Sequence, residues 1–220
     1  MQFIQFAVMA VIAYVIGSFP TGYLAARFFK GVDPRQHGSG RTGGTNILRT
    51  AGKGAALITV IGDLLKGLLA VLVARFWIGT QVAEVVAGLA AVLGHNRSIF
   101  LGFKGGAGSM TNVGALLAMA PYVVPFVAVA AYVAGRVSRI ASLVSVAAAA
   151  TSIIVLGIGY LLHFTPVAYL LYGVLAGLLI YRQFDWKQLK PMLIYTASLA
   201  GAILLIIGTA TGMAWGLTQS

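Results

Sequence analysis

Between residues 37 and 49 the chain reads His37-Gly38-Ser39-Gly40-Arg41-Thr42-Gly43-Gly44-Thr45-Asn46-Ile47-Leu48-Arg49. Glycines leave backbone N–H groups open to a ligand. Ser39, Thr42 and Thr45 add hydroxyls, and Arg41 and Arg49 add positive charge. That is the composition of a phosphate site. A second stretch repeats it: Gly94-His95-Asn96-Arg97-Ser98, then Lys104-Gly105-Gly106-Ala107-Gly108-Ser109. One glycine loop is weak evidence, because many such loops are only turns. Two loops of this kind on one side of a membrane would clamp two phosphate groups. His95, at the junction of an apolar run and the second loop, is placed to order that loop or to accept a proton. Asp63 and Lys66 lie three apart inside an apolar run and so share a helix face. They form either a structural ion pair or a support in which Asp63 holds a loop arginine or lysine. Ser18 and Thr21 are expected to bond helix carbonyls, and His163 has no assigned role.

Other chemistries lack their residues. The chain has no cysteine, which removes disulfides, thiolate metal sites and thiol acyl-enzymes. No dense carboxylate–histidine cluster suggests a metal, and no P-loop or Gly-x-Ser-x-Gly elbow is present. The acidic residues are only Asp33, Asp63, Glu84 and Asp185, too few for an extended proton relay. A net charge of +11 would suggest nucleic acid in a soluble protein. Here the basic residues fall in short loops between apolar runs, with no aromatic–basic stripe, so no nucleic-acid partner is expected.

The surrounding chain must hold these loops at a membrane. Of 220 residues, 60% are hydrophobic and 9% charged, and the mean hydropathy is +0.95. Soluble domains carry about 25% charged residues, so the composition predicts a polytopic transmembrane helix bundle, all-α. Eight apolar segments are read: Phe3–Ala26, Ala55–Phe76, Val82–Leu93, Thr111–Ala120, Tyr122–Ala134, Ala141–Leu162, Pro166–Tyr181 and Met192–Trp215. The third to fifth are short and interrupted by glycine and proline, which membranes tolerate where helices pack in protein or line a wet cavity. Lys and Arg concentrate in alternate loops. Placing these in the cytoplasm puts the N-terminus outside and, with eight crossings, the C-terminus outside as well.

Several segments, in order and spacing, resemble the bacterial acyl-phosphate:glycerol-3-phosphate acyltransferases. They are Asp33-Pro34-Arg35, Gly38-Ser39-Gly40, Gly44-Thr45-Asn46, Leu48-Arg49, Gly52-Lys53, Asp63-Leu64-Leu65-Lys66-Gly67, Leu93-Gly94-His95, Phe100-Leu101-Gly102-Phe103-Lys104-Gly105-Gly106 and Arg139-Ile140-Ala141-Ser142-Leu143. The resemblance implies an integral membrane enzyme of the cell (inner or plasma) membrane, with seven spans and cytoplasmic active-site loops. It implies acyl transfer from acyl phosphate to the sn-1 hydroxyl of glycerol 3-phosphate, giving lysophosphatidate, with no cofactor and no metal. Residues 1–190 then form the acyltransferase-like domain, and 191–220 an added transmembrane segment packed on it.

On this expectation Ser39, Arg49, His95 and Lys104 serve catalysis. Gly38, Gly40, Arg41, Thr45, Asn46, Gly105, Gly106, Gly108 and Asp185 bind substrate, with Asn46 and Thr45 orienting the polyol. Asp63 and Lys66 give structural support. The chain departs from the family pattern at several points. Arg41 stands in place of an asparagine and Ala107 in place of a lysine; either Arg41 supplies the missing charge, or it is an ordinary positive-inside residue and the site is crippled. Ser98 stands near the place of a proline, and no glutamate follows Asp185-Trp186. These departures leave two further readings: a non-catalytic member that binds phospholipid precursors or a partner, and a transporter of a small organophosphate.

Overall fold

A computed structural model describes residues 2–138 and 141–181, all within one compact unit, Met1–Gln183. Asp185 and the segment Met192–Trp215 lie outside the described residues, as do Arg139, Arg182, Lys187 and Lys190. Among the described residues there are eight α-helices and no strand: α1 Gln2–Ser18, α2 Thr21–Lys30, α3 Gly44–Trp77, α4 Gln81–Asn96, α5 Ser109–Met119, α6 Val123–Ser138, α7 Ala141–Leu161 and α8 Val167–Tyr181. Three stretches, Phe3–Lys30, Gly44–Trp77 and Leu143–Leu161, are long and apolar enough to cross a membrane.

The side chains are sorted as a lipid environment requires. On α3, Leu57, Ile61, Leu65 and Leu69 form an exposed stripe, while Ala55, Ala56, Thr59, Asp63, Lys66, Gly67, Ala70 and Ala74 are buried. Large apolar groups face outward and small or polar ones face the neighbouring helices, because lipid offers no hydrophobic drive for the reverse. The small residues allow backbones to touch. A Cβ at Gly67 would collide with the Thr111 carbonyl of α5, and one at Gly114 with the Leu64 carbonyl of α3. Along α1 and α4 the contact is made by Met9, Ala13, Ala83, Ala87 and Ala91. A larger cluster joins Val71, Leu116, Met119, Val123, Leu156 and Tyr172.

Two helices differ from the expected apolar segments. Phe3–Ala26 does not form one helix: it breaks at Phe19–Pro20 between α1 and α2, because proline has no N–H to continue the ladder. The second segment starts earlier than Ala55. α3 begins at Gly44, and Gly52 interrupts it with a φ of +87°, a left-handed value that favours glycine.

Away from the glycine loops, Glu84 and Arg75 together tie four helices. Glu84 receives Arg75 Nε at 2.9 Å, a second Arg75 nitrogen at 2.7 Å and the Tyr169 hydroxyl at 2.8 Å. Arg75 also donates to the Ala118 carbonyl at 2.7 Å. A carboxylate this buried is tolerated because both oxygens are paired with a guanidinium fork.

Candidate active site

The first glycine loop opens on a 3-10 turn, Pro34–Gln36. Asp33 caps it, accepting the Arg35 backbone N–H at 3.0 Å. The Arg35 guanidinium pairs with the same carboxylate at 2.7 Å. That pairing holds the Asp33 carboxyl at about 2, below its ordinary 3.8, and Asp33 in turn raises the Arg35 guanidinium.

Asn46, in the first turn of α3, organises the rest of the loop. Its Nδ2 donates to the carbonyls of Pro34 at 2.9 Å, His37 at 3.1 Å and Arg41 at 2.8 Å. Its Oδ1 accepts the Ser39 backbone N–H at 2.9 Å. The loop is wound around one amide, and a Cβ at Gly38 would strike its Oδ1. The loop then runs into α3, whose first turn has no side-chain cap.

The second loop leaves α4 at Asn96 and returns to it. The Gly106 N–H donates to the His95 carbonyl at 3.1 Å. A Cβ at Gly105 would strike the same carbonyl, and a Cβ at Gly106 would strike His95 Nε2. These glycines permit close approach to α4. The loop also ends in a helix start without a side-chain cap, at α5 after Gly108. The first glycine loop thus precedes the start of α3 and the second the start of α5, each a partly positive helix end.

Between the loops lies a buried polar cluster. Asp63 accepts the Thr21 hydroxyl and the Lys66 ammonium, the latter at 2.8 Å, and His95 Nδ1 stands 3.5 Å away. Asp63, Lys66 and His95 are 2%, 6% and 5% exposed, so the Asp63–Lys66 ion pair is formed with little solvent screening. Lys66 also donates to the Phe19 carbonyl at 3.1 Å, and the Ser98 hydroxyl donates to the Ser18 carbonyl. The break before α2 is thus sealed from α3 and from the second loop. Thr21, Thr42, Lys66, His95 and Ser98 line a small depression above this cluster.

The expected site residues fall into two groups. Asn46, Asp63, Lys66, His95, Gly106 and Gly108 are buried and hold the frame. Ser39, Thr45, Arg49 and Lys104 are exposed on or beside the loops, with Gly40, Arg41 and Gly105 partly covered. None of Ser39, Arg41, Arg49, Lys104 or Ala107 lines the depression. Among the described residues Asp63 holds no loop arginine or lysine; its partners come from α2, α3 and α4. Among the described residues, Thr21 bonds Asp63 and no helix carbonyl, and the buried Ser18 hydroxyl has no hydrogen-bond partner. The Thr21 contact had one sequence signal, a hydroxyl directly after Pro20 in an apolar run. Among the described residues, no three His, Cys, Asp or Glu side chains stand close enough to hold a metal.

Among the described residues, an all-helical bundle with lipid-sorted faces and buried charges at its glycine loops defines an integral membrane protein. The family model of glycerol-3-phosphate acyltransferase matches residues 7–190, and the chain belongs to that family of enzymes. The glycerol-3-phosphate acyltransferase of Crocosphaera subtropica is 41% identical over 191 residues, covering 81% of this chain and 86% of its own. That of Acaryochloris marina is 35% identical over 204 residues, covering 84% and 88%. Two crystal structures of PlsY (YgiH), an integral membrane glycerol 3-phosphate acyltransferase, share the fold. The glycerol 3-phosphate form has a TM-score of 0.72 and 33% identity, covering 81% of this chain and 89% of that one. The lysophosphatidic acid form has a TM-score of 0.75 and 31% identity, covering 86% and 92%. The chain is thus a multi-pass membrane acyltransferase.

Proposed function

We propose that the chain transfers an acyl group from acyl phosphate to the sn-1 hydroxyl of glycerol 3-phosphate, releasing lysophosphatidate and inorganic phosphate. The observation that carries this reading is the convergence of the two glycine loops on one buried cluster, against which stand Thr42 of the first and Gly106 of the second. Two anionic substrates must meet there, and aimed N–H groups with nearby cations offset their repulsion. The first loop takes one phosphate through Ser39, the backbone from Gly38 to Gly40, and Arg49. The second takes the other through Lys104, Gly105, Gly106 and Gly108. Thr45 faces the polyol. Asn46, its amide committed to the loop, acts by holding Ser39 in place.

The step needs no covalent enzyme intermediate. The hydroxyl oxygen bonds to the acyl carbon, the bond from that carbon to the phosphate oxygen breaks, and the hydroxyl proton passes to the departing phosphate. His95 orders the second loop through its carbonyl and ring. Arg41 supplies the charge that Ala107 lacks. Seven family spans are assigned within residues 1–190 and one added crossing to Met192–Trp215, which lies outside the described residues. The loops face the cytoplasm and both termini lie outside, a reading supported by the loop charges. Because the chain contains no cysteine, Gln36→Cys gives a clean accessibility probe of that orientation.

The test is direct. Purified protein in lipid is given acyl phosphate and labelled glycerol 3-phosphate, and labelled lysophosphatidate is measured. Product that depends on both substrates is the expected result. Absence of product from folded protein refutes the reading. Accumulation of unmodified label inside proteoliposomes would replace it with transport.

A further inference from the structure

Arg35 stands outside the glycine runs but contacts both loops. Its Nε and one terminal nitrogen bind the two oxygens of Asp33 at 3.0 and 2.7 Å. Its other terminal nitrogen donates at 3.3 Å to the carbonyl of Leu101, in the second loop. The guanidinium lies over the Tyr23 ring of α2, 5.1 Å from its centre. All three nitrogens of a rigid planar group are engaged, so one side chain fixes three elements at once.

The bonds continue on both sides of this contact. In the first loop, the carbonyl of the adjacent Pro34 takes the Asn46 amide, whose oxygen holds the Ser39 N–H. In the second loop, the Leu101 carbonyl that Arg35 binds also accepts the Lys104 backbone N–H at 3.3 Å. Ser39 and Lys104 are thus joined through Arg35 by a short series of hydrogen bonds. The second loop is held from α1 as well, through the Tyr14 hydroxyl on the Arg97 carbonyl and the Ser98 hydroxyl on the Ser18 carbonyl.

We propose that Arg35, clamped by Asp33 and Tyr23, is a positioning residue that sets the separation of the two phosphate-binding loops and so governs the rate of acyl transfer more than the affinity for either substrate. The inference rests on the reading that each loop holds one phosphate. Without Arg35 each loop keeps its own glycines, hydroxyls and cations, so each substrate still binds. What is lost is the register between the attacking hydroxyl and the acyl carbon, and a misplacement of about 1 Å costs on the order of 100-fold in rate.

The test has a kinetic arm and a distance arm. In the first, kcat and both KM values are measured for the unaltered chain, Arg35→Ala and Arg35→Lys. Arg35→Ala is expected to lower kcat by on the order of 100-fold while each KM moves less than about threefold. Arg35→Lys keeps the charge but not the fork, and recovers part of kcat. In the second arm, spin labels are attached at Gln36→Cys and Phe100→Cys, both exposed positions in a cysteine-free chain. The inter-label distance distribution should be narrow, and should broaden when Arg35→Ala is added. Unchanged kcat per folded molecule, a rise in KM alone, or an unchanged distance distribution overturns the proposal. If Arg35→Ala does not fold, Asp33→Asn loosens the guanidinium without removing it and must show the same split. An unaltered chain that makes no lysophosphatidate refutes the functional reading instead, and the distance arm then decides the clamp alone.

Discussion

Asn46 offers the sharpest separation between holding the loop and touching substrate. The assignment of its amide atoms is constrained: one faces an N–H and the other faces three carbonyl oxygens. Asn46→Ala removes two donor hydrogens and one acceptor. At about 1 kcal/mol net for each bond, the ordered loop loses about 3 kcal/mol, which is about two decades in a rate that requires it. Asn46→Asp has nearly the same shape and still accepts the Ser39 N–H, but it turns a carboxylate oxygen towards the carbonyls of Pro34, His37 and Arg41. It should therefore be worse than alanine, by roughly a further tenfold or more. A residue that oriented a polyol would give the opposite order, because a carboxylate accepts hydrogen bonds from hydroxyls. The assay is kcat/KM for glycerol 3-phosphate at neutral pH, with thermal unfolding measured on the same samples. Activity of Asn46→Asp equal to or above that of Asn46→Ala refutes the reasoning.

Arg49→Ala should lower activity by about 2 kcal/mol or more, the loss of one charge-assisted phosphate contact, and Ser39→Ala should also be severely impaired; near-normal turnover in both at matched expression removes the first phosphate site. Lys66→Met leaves Asp63 buried beside Thr21 and His95 and should destabilise by about 3–5 kcal/mol, whereas Asp63→Leu with Lys66→Met should cost less than either alone. An additive loss in thermal unfolding would contradict that coupling. Gly114→Val drives a side chain into the Leu64 carbonyl and should separate α5 from α3 at about 1–3 kcal/mol; an unfolding temperature equal to that of the unaltered chain would show that the helices do not touch there. The Asp33 carboxyl lies at about 2 when folded, below its ordinary 3.8. Its stabilising contribution is therefore complete above the ordinary value and lost as pH falls through about 2. The difference in unfolding temperature between the unaltered chain and Asp33→Asn should be constant above pH ~4 and shrink below it; a difference that persists undiminished to pH 2 counts against the pairing.

Class and family were legible in the sequence. The membrane bundle follows from summed composition, which needs no knowledge of contacts. Both glycine loops and their cations are runs of neighbouring residues, so they declare themselves locally, and Asp63 and Lys66 pair at helical spacing for the same reason. Pro20 carries its own local signal, a missing N–H, yet the apolar run around it hid the break. The partners that give these groups their roles came only from tertiary structure. Thr21 meets Asp63 from 42 residues away, and Arg35 meets the Leu101 carbonyl across 66. The Asn46 amide closes on Pro34, His37 and Arg41 because the loop folds back over the start of α3, so a residue typed as a substrate ligand is occupied by backbone. A side chain's type and neighbours along the chain state which bonds it can make. Which it does make depends on helix crossings set by small residues such as Gly67 and Gly114, which bring distant carbonyls within reach.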